Sequence, residues 1–202
     1  MTRKMQKGDF TLEPDSIENE RFLSDEWLSE NGALIDITIV AASWDTPLID
    51  DLKARGPAMF DNIAACLSIG SKRVSLLLCD DEDMRAMNKV HRGIDKATNV
   101  LSFPADDDLQ RAGDMPADEV TIGDIAVAAE TVMREASETG IAIGDHLLHL
   151  FTHGMLHLLG YDHEEDSPAA EMEGLEIDLL AQMNISNPYH GDHLGFGMRE
   201  ID

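Results

Sequence analysis

Residues 153–163 read His-Gly-Met-Leu-His-Leu-Leu-Gly-Tyr-Asp-His. His153 and His157 are four residues apart, so on a helix both imidazoles leave from one face. Gly160 can take a left-handed conformation and end that helix. The chain then turns back, which lets His163 reach the same point. The string therefore commits this part of the chain to a helix, a glycine stop and a tight return. Three neutral imidazoles leave a fourth position open on a tetrahedral zinc ion, the mark of a catalytic rather than a structural site. Water bound there ionises near pH 7. His146 and His149 fall on the same helical stripe, interleaved with leucine. They read first as a half-buried polar seam, and otherwise as hydrogen-bond partners of the ligands.

The spacing HxxxHxxGxxH is also that of the metzincin metalloproteases. There the residue after the first histidine is glutamate, the general base of peptide hydrolysis. Here it is Gly154. Glycine cannot accept a proton, and no carboxylate on the same turn replaces it. The metal geometry fits a metallopeptidase-like zinc hydrolase; the base does not.

The rest of the chain supplies a scaffold for that helix. Ala33–Ala42 is rich in β-branched residues and reads as a strand, as do Val74–Leu78, Asn99–Phe103 and the alternating Thr121–Val127. Pro47 opens a segment with Leu48, Leu52, Met59, Ile63 and Leu67 at helical spacing, stopped by Gly70. Asp80–Asp83 place negative charge at the start of a second helix, near its positive dipole end, and Gly93 stops it. Helices are also expected over 128–139, 145–159 and 168–183, with a loop over 105–119. The order predicts an α+β fold. A small mixed sheet of about four strands packs with about five helices, and the metal site lies at a helix end and the turn after it. Residues 1–30 read as an acidic, partly disordered extension, 31–190 as the domain and 191–202 as a loose tail.

Charge narrows the partners. The 202 residues hold 40 Asp and Glu against 15 Lys and Arg, a formal −25. That excludes coating of nucleic acid through the net field and binding to anionic membranes. The distribution is uneven. Residues 112–202 hold 19 acidic side chains and only Arg134 and Arg199 as bases. Lys72, Arg73, Arg85, Lys89, Arg92 and Lys96 gather within 25 positions. They read equally as a phosphate-facing patch or a solvated helix face. The N-terminus lacks the apolar core of a signal peptide, and no run approaches the ~18 apolar residues of a membrane span. The cytoplasm is the expected compartment. Cys66 and Cys79 lie in apolar stretches without CxxC spacing and read as buried, reduced packing residues.

Three motifs carry a resemblance. HGMLHLLGYDH at 153–163 looks like the signature of the YbeY family, bacterial endoribonucleases of ribosomal RNA maturation. Asn88-Lys-Val-His-Arg92-Gly-Ile-Asp95-Lys-Ala-Thr98-Asn-Val-Leu-Ser102-Phe103-Pro104 resembles that family's N-x-x-[YH]-R-x-x-D-x-x-T-x-V-L-S-F-P stretch. Ile122-Gly123-Asp124-Ile125 resembles its GD[IL] strand. The resemblance covers roughly residues 33–190.

It implies a single-strand-specific, metal-dependent endoribonuclease acting in 16S rRNA 3′-end maturation and ribosome quality control. His153, His157 and His163 match the family's zinc-binding histidines. One zinc per chain is implied, with another divalent metal as the alternative. Arg92 matches an arginine that the family places near the metal; read without the resemblance it is first a charge on a helix C-terminus. Ribosomal or other single-stranded RNA and the small ribosomal subunit or its factors are the implied partners. DNA and membranes are not, and a monomer or weak oligomer is expected. Asp95, Ser102, Asp124 and Asp162 read as supports of this site or as turn and cap residues. No residue identifies itself as general base. A non-catalytic ribosome-assembly factor is the remaining alternative.

Overall fold

The computed structural model describes residues 23–105, 120–162 and 166–189. His163, the residues expected to form an acidic loop beyond Ala105, and the tail from His190 lie outside them. In chain order the elements begin with β1 (Leu23–Leu28), β2 (Leu34–Ile39), α1 (Thr46–Leu67) and β3 (Arg73–Cys79). α2 (Asp81–Arg92), β4 (Val100–Pro104) and β5 (Thr121–Ala128) follow. α3 (Ala129–Thr139), α4 (Ile143–Leu158) and α5 (Asp166–Gln182) complete the set. The fold is α+β, as the sequence predicts, with five strands in the order β1-β2-β3-β5-β4. β2, β3 and β5 run parallel, while β1 and β4 lie antiparallel on the two edges.

β1 is the strand that sequence reading misses, because it lies in the stretch assigned to the extension. Of its six residues only Trp27 is buried; the others are exposed, so no apolar alternation marks it. Its register with β2, Trp27 opposite Ile35, places the Trp27 ring in the core.

Alternation along the inner strands gives the sheet two unlike faces. Ile35, Ile37, Leu76, Leu78, Ile125 and Val127 form the main core with α1, α4 and α5. Cys79, Leu101, Ala126 and Ala128 point the other way, into a smaller cluster with Met84 and Met87 of α2. Cys79 is fully buried, and burial pushes its thiol pKa up to about 12. Cys66 departs from expectation. It sits in the last turns of α1 on the solvent side and is exposed. Among the described residues no helix is long and apolar enough to cross a membrane.

Gly123 joins the faces. A register irregularity between β3 and β5 at Arg73 and Val74 puts Gly123 at φ +145°. Beyond that row Asp124 points to the open face and Ile125 to the core.

Candidate functional site

Twelve of the sixteen residues of α4 are buried, so this helix runs through the molecule rather than over it. His146, His149 and His153 are buried and must find their partners inside, while His157 is half-buried. His146 Nε2 bonds Glu135 Oε2 at 2.9 Å, and that oxygen also accepts from Asn99 Nδ2 at 3.0 Å. His149 Nε2 meets Glu176 Oε2 at 2.8 Å, and His153 Nδ1 meets Glu176 Oε1 at 2.8 Å. The two upstream histidines therefore each bind a carboxylate, as hydrogen-bond partners would.

α4 ends as the sequence predicts. Gly160 takes φ +88°, and Tyr161 N–H reaches back to the Leu156 carbonyl at 3.0 Å. The turn carries the Tyr161 carbonyl to the His157 ring, where Nδ1 donates to it at 3.0 Å. A carbonyl only accepts, so His157 carries its proton on Nδ1. An ionised Glu176 fixes the same tautomer on His153. Both Nε2 atoms then present lone pairs, and they face each other 3.0 Å apart. Two nitrogens bound to one tetrahedral ion at ~2.0–2.1 Å each would stand about 3.3 Å apart. The donor set therefore fits a shared cation. Among the described residues no group of three or more His, Cys, Asp and Glu forms a metal site; His163 lies outside them.

Glu176 is 0% exposed. Burial alone raises its pKa, but the hydrogen bonds from His149 and His153 outweigh burial and hold it well below the usual range. The Tyr189 hydroxyl, its own pKa pushed up by burial and by the Glu176 charge, donates to Oε2 at 2.5 Å. Tyr189 lies near the end of the stretch 31–190 that the sequence reads as the domain. Its hydroxyl is tied to the core by this bond.

Glu176, Glu135 and Tyr189 escaped sequence reasoning. Glu176 left one signal: it interrupts the apolar stripe Met172, Leu179 and Leu180 of α5, where a carboxylate needs a reason to be.

Arg92 lies on a different helix from the histidine pair. It is exposed on the last turn of α2, on the sheet face opposite α4. β4 runs between them. His91 packs edge-on against Phe103 of β4, ring centroids 4.8 Å apart, and Ser102 faces α4 at Gly154. Among the described residues at least three of the six clustered bases are paired. Arg85 and Lys89 hold Asp95 at 2.6 and 2.8 Å, which draws its pKa down to about 2. Arg73 binds Asp36 and Glu26. Among the described residues Arg92 has no ion-pair partner. Asp95 thus fastens the loop after Arg92 back onto α2. Asp162 is exposed at its turn. Asp124 is exposed and, with Asp36, Ser75, Met87 and Phe103, lines a cavity of about 360 Å³ on the open face.

Comparison with known proteins follows this map. A family model described as Endoribonuclease YbeY matches residues 52–184, from α1 to just past α5. The chain belongs to that family. The Endoribonuclease YbeY of Rhodospirillum rubrum is 52% identical over 57% of this chain and 58% of its own length, so the chain spans little more than half of that relative. The YbeY protein of Bradyrhizobium is 43% identical over 76% of this chain and 90% of its own. That of Dinoroseobacter shibae is 41% identical over 78% and 91%. A solution structure from Thermotoga maritima aligns with 79% of this chain and 98% of its own at 26% identity and a TM-score of 0.46. The matched segment contains Arg92, His153, His157 and Glu176 together.

Proposed function

We propose that this chain is a divalent-metal-dependent endoribonuclease, specific for single-stranded RNA, that acts on ribosomal RNA. Maturation of the 16S 3′ end and ribosome quality control are the roles the family suggests, in the cytoplasm and with the small ribosomal subunit or its factors as partner. The observation that carries the reading is the facing Nε2 pair of His153 and His157, each proton held away on Nδ1 by a buried or backbone acceptor. Zinc is the proposed ion, with His163 as its third protein ligand. When bound, it would supply positive charge to a phosphodiester whose cleavage builds negative charge on the non-bridging oxygens.

The chain's own residues would do the rest. His153 and His157 hold their lone pairs in one direction without reorganisation. Arg92 offers a planar fork matched to phosphate, and no carboxylate competes for it among the described residues. The peptidase reading loses further ground at Gly154. A Cβ there would lie 3.1 Å from Ile125 and from Ser102 Oγ, so α4 sits on the sheet with no slack for the missing glutamate.

Cleavage of a single-stranded ribosomal RNA fragment by the zinc-loaded protein tests the reading. His157→Ala and Arg92→Ala should each cost about 10²–10³-fold in rate, as removal of one charge-stabilising group does, with circular dichroism unaltered. Unaltered cleavage by Arg92→Ala would instead favour an assembly factor. Peptide turnover lost in His157→Ala would establish the peptidase.

A further inference from the structure

We propose that Glu176 is the positioning residue of the candidate centre: it divides its two oxygens so that His153 is held with Nε2 toward His157. The inference rests on the metal-site reading above and adds a residue to it. Glu176 lies on α5, 23 residues from His153 in sequence, and its side chain is 1% exposed. Among the described residues no lysine or arginine bonds it; its donors there are two imidazoles and a phenol. A buried carboxylate without a cation is costly to keep, and a leucine would continue the apolar stripe of α5 more cheaply. Packing therefore does not account for it.

The division of donors does. Oε2 takes both the His149 Nε2 proton and the Tyr189 hydroxyl, at 2.8 and 2.5 Å. Oε1 takes His153 Nδ1 at 2.8 Å. With two donors on Oε2, the carboxylate cannot rotate without breaking them, so Oε1 stays aimed at His153. His149 is thereby explained as well. Its Nε2 is engaged with Glu176, and it fixes the carboxylate instead of joining the ligands. Tyr189 closes the arrangement from the far side, its ring edge-on to His149 at 5.9 Å. Glutamine at 176 would break the pattern. An amide has one acceptor oxygen and turns N–H donors toward one of the two rings that also donate.

Two measurements test this. Long-range proton–nitrogen correlation spectra of the metal-free full chain read the histidine tautomers. Wild type should show His153 as the Nδ1–H form, and Glu176→Gln should lose it. Zinc affinity, from competition with a chelator, should fall 10–100-fold in Glu176→Gln, the range seen for such outer partners. Tyr189→Phe removes one donor from Oε2 only, and should keep the His153 tautomer and weaken zinc by less than threefold. An Nε2–H tautomer on wild-type His153 overturns the proposal even where Glu176→Gln fails to fold. So does a loss in Tyr189→Phe as large as in Glu176→Gln, because that would be a packing effect. If wild type binds no zinc, the metal reading fails, and the tautomer alone then decides the role of Glu176.

Discussion

A Cβ added to Gly123 would stand 2.4 Å from the carbonyl oxygen of Phe103 and 2.8 Å from Leu158 Cδ2. The first neighbour is backbone and cannot yield without moving β4; the second is the tip of the Leu158 side chain, on the residue after His157. The φ of +145° is closed to an L side chain in any case. Gly123→Ala should therefore destabilise the protein by about 3 kcal/mol, combining backbone strain with overpacking. A urea unfolding midpoint unchanged from wild type would refute it. The Gly-Asp pair of the sequence motif thus splits. Its glycine serves packing under the histidine helix, while its aspartate lies on the open face. The histidine pair was legible because ligand-type residues recur at i and i+4 before a glycine. Glu176 was not, since its partners are 23 and 27 residues away and only the folded chain brings them to 2.8 Å.

Helices α1, α2 and α4 were legible from Pro47 and helical apolar spacing, from the acidic start at Asp80, and from the histidine spacing before Gly160, and the structure shows what holds their ends. Asp45 caps α1 by accepting from Leu48 N–H at 3.0 Å. Asp80 caps α2 in the same way, accepting from Asp83 N–H at 2.8 Å, and Gly93 closes α2 at φ +76°. Such signals are local, so one sequence suffices to read them. β1 had no local signal; its identity comes from pairing with β2. α2 is also the least anchored of these helices, with only Met84 and Asn88 buried. Its caps therefore fix where the helix stops and where Arg92 is presented. Asp80→Ala should cost about 1 kcal/mol, measured by chemical unfolding. Hydrogen exchange should locate the change in residues 81–92. A loss spread evenly over the whole chain would contradict this.

At the scale of the molecule, the charge of −25 stands beside a base cluster of which at least half is neutralised from within among the described residues. Arg73, Arg85 and Lys89 are held by carboxylates, which lowers the charge this cluster offers to phosphates. If one or two phosphates are neutralised, log K for single-stranded RNA should fall with log salt at a slope of about −1. A slope steeper than about −4, or submicromolar binding of generic RNA at physiological salt, would show a basic surface elsewhere. The sequence showed the gathering of bases but not their pairing, because Asp36 and Glu26 approach Arg73 only through strand register.

The parallel centre of the sheet bears on how the molecule is made. β3 and β5 are neighbours, yet α2 and β4 separate them along the chain. Such a pair cannot zip from a hairpin; a long loop must close first. α4 rests on β4 and β5, and α5 brings Glu176 up behind it. Synthesis runs from the N-terminus, so the histidines and their carboxylate come together only after α5 has left the ribosome. A nascent chain stalled before α5 holds its histidines without the acceptor that orients His153. Orientation of the His153 ring is thus timed to the synthesis of α5.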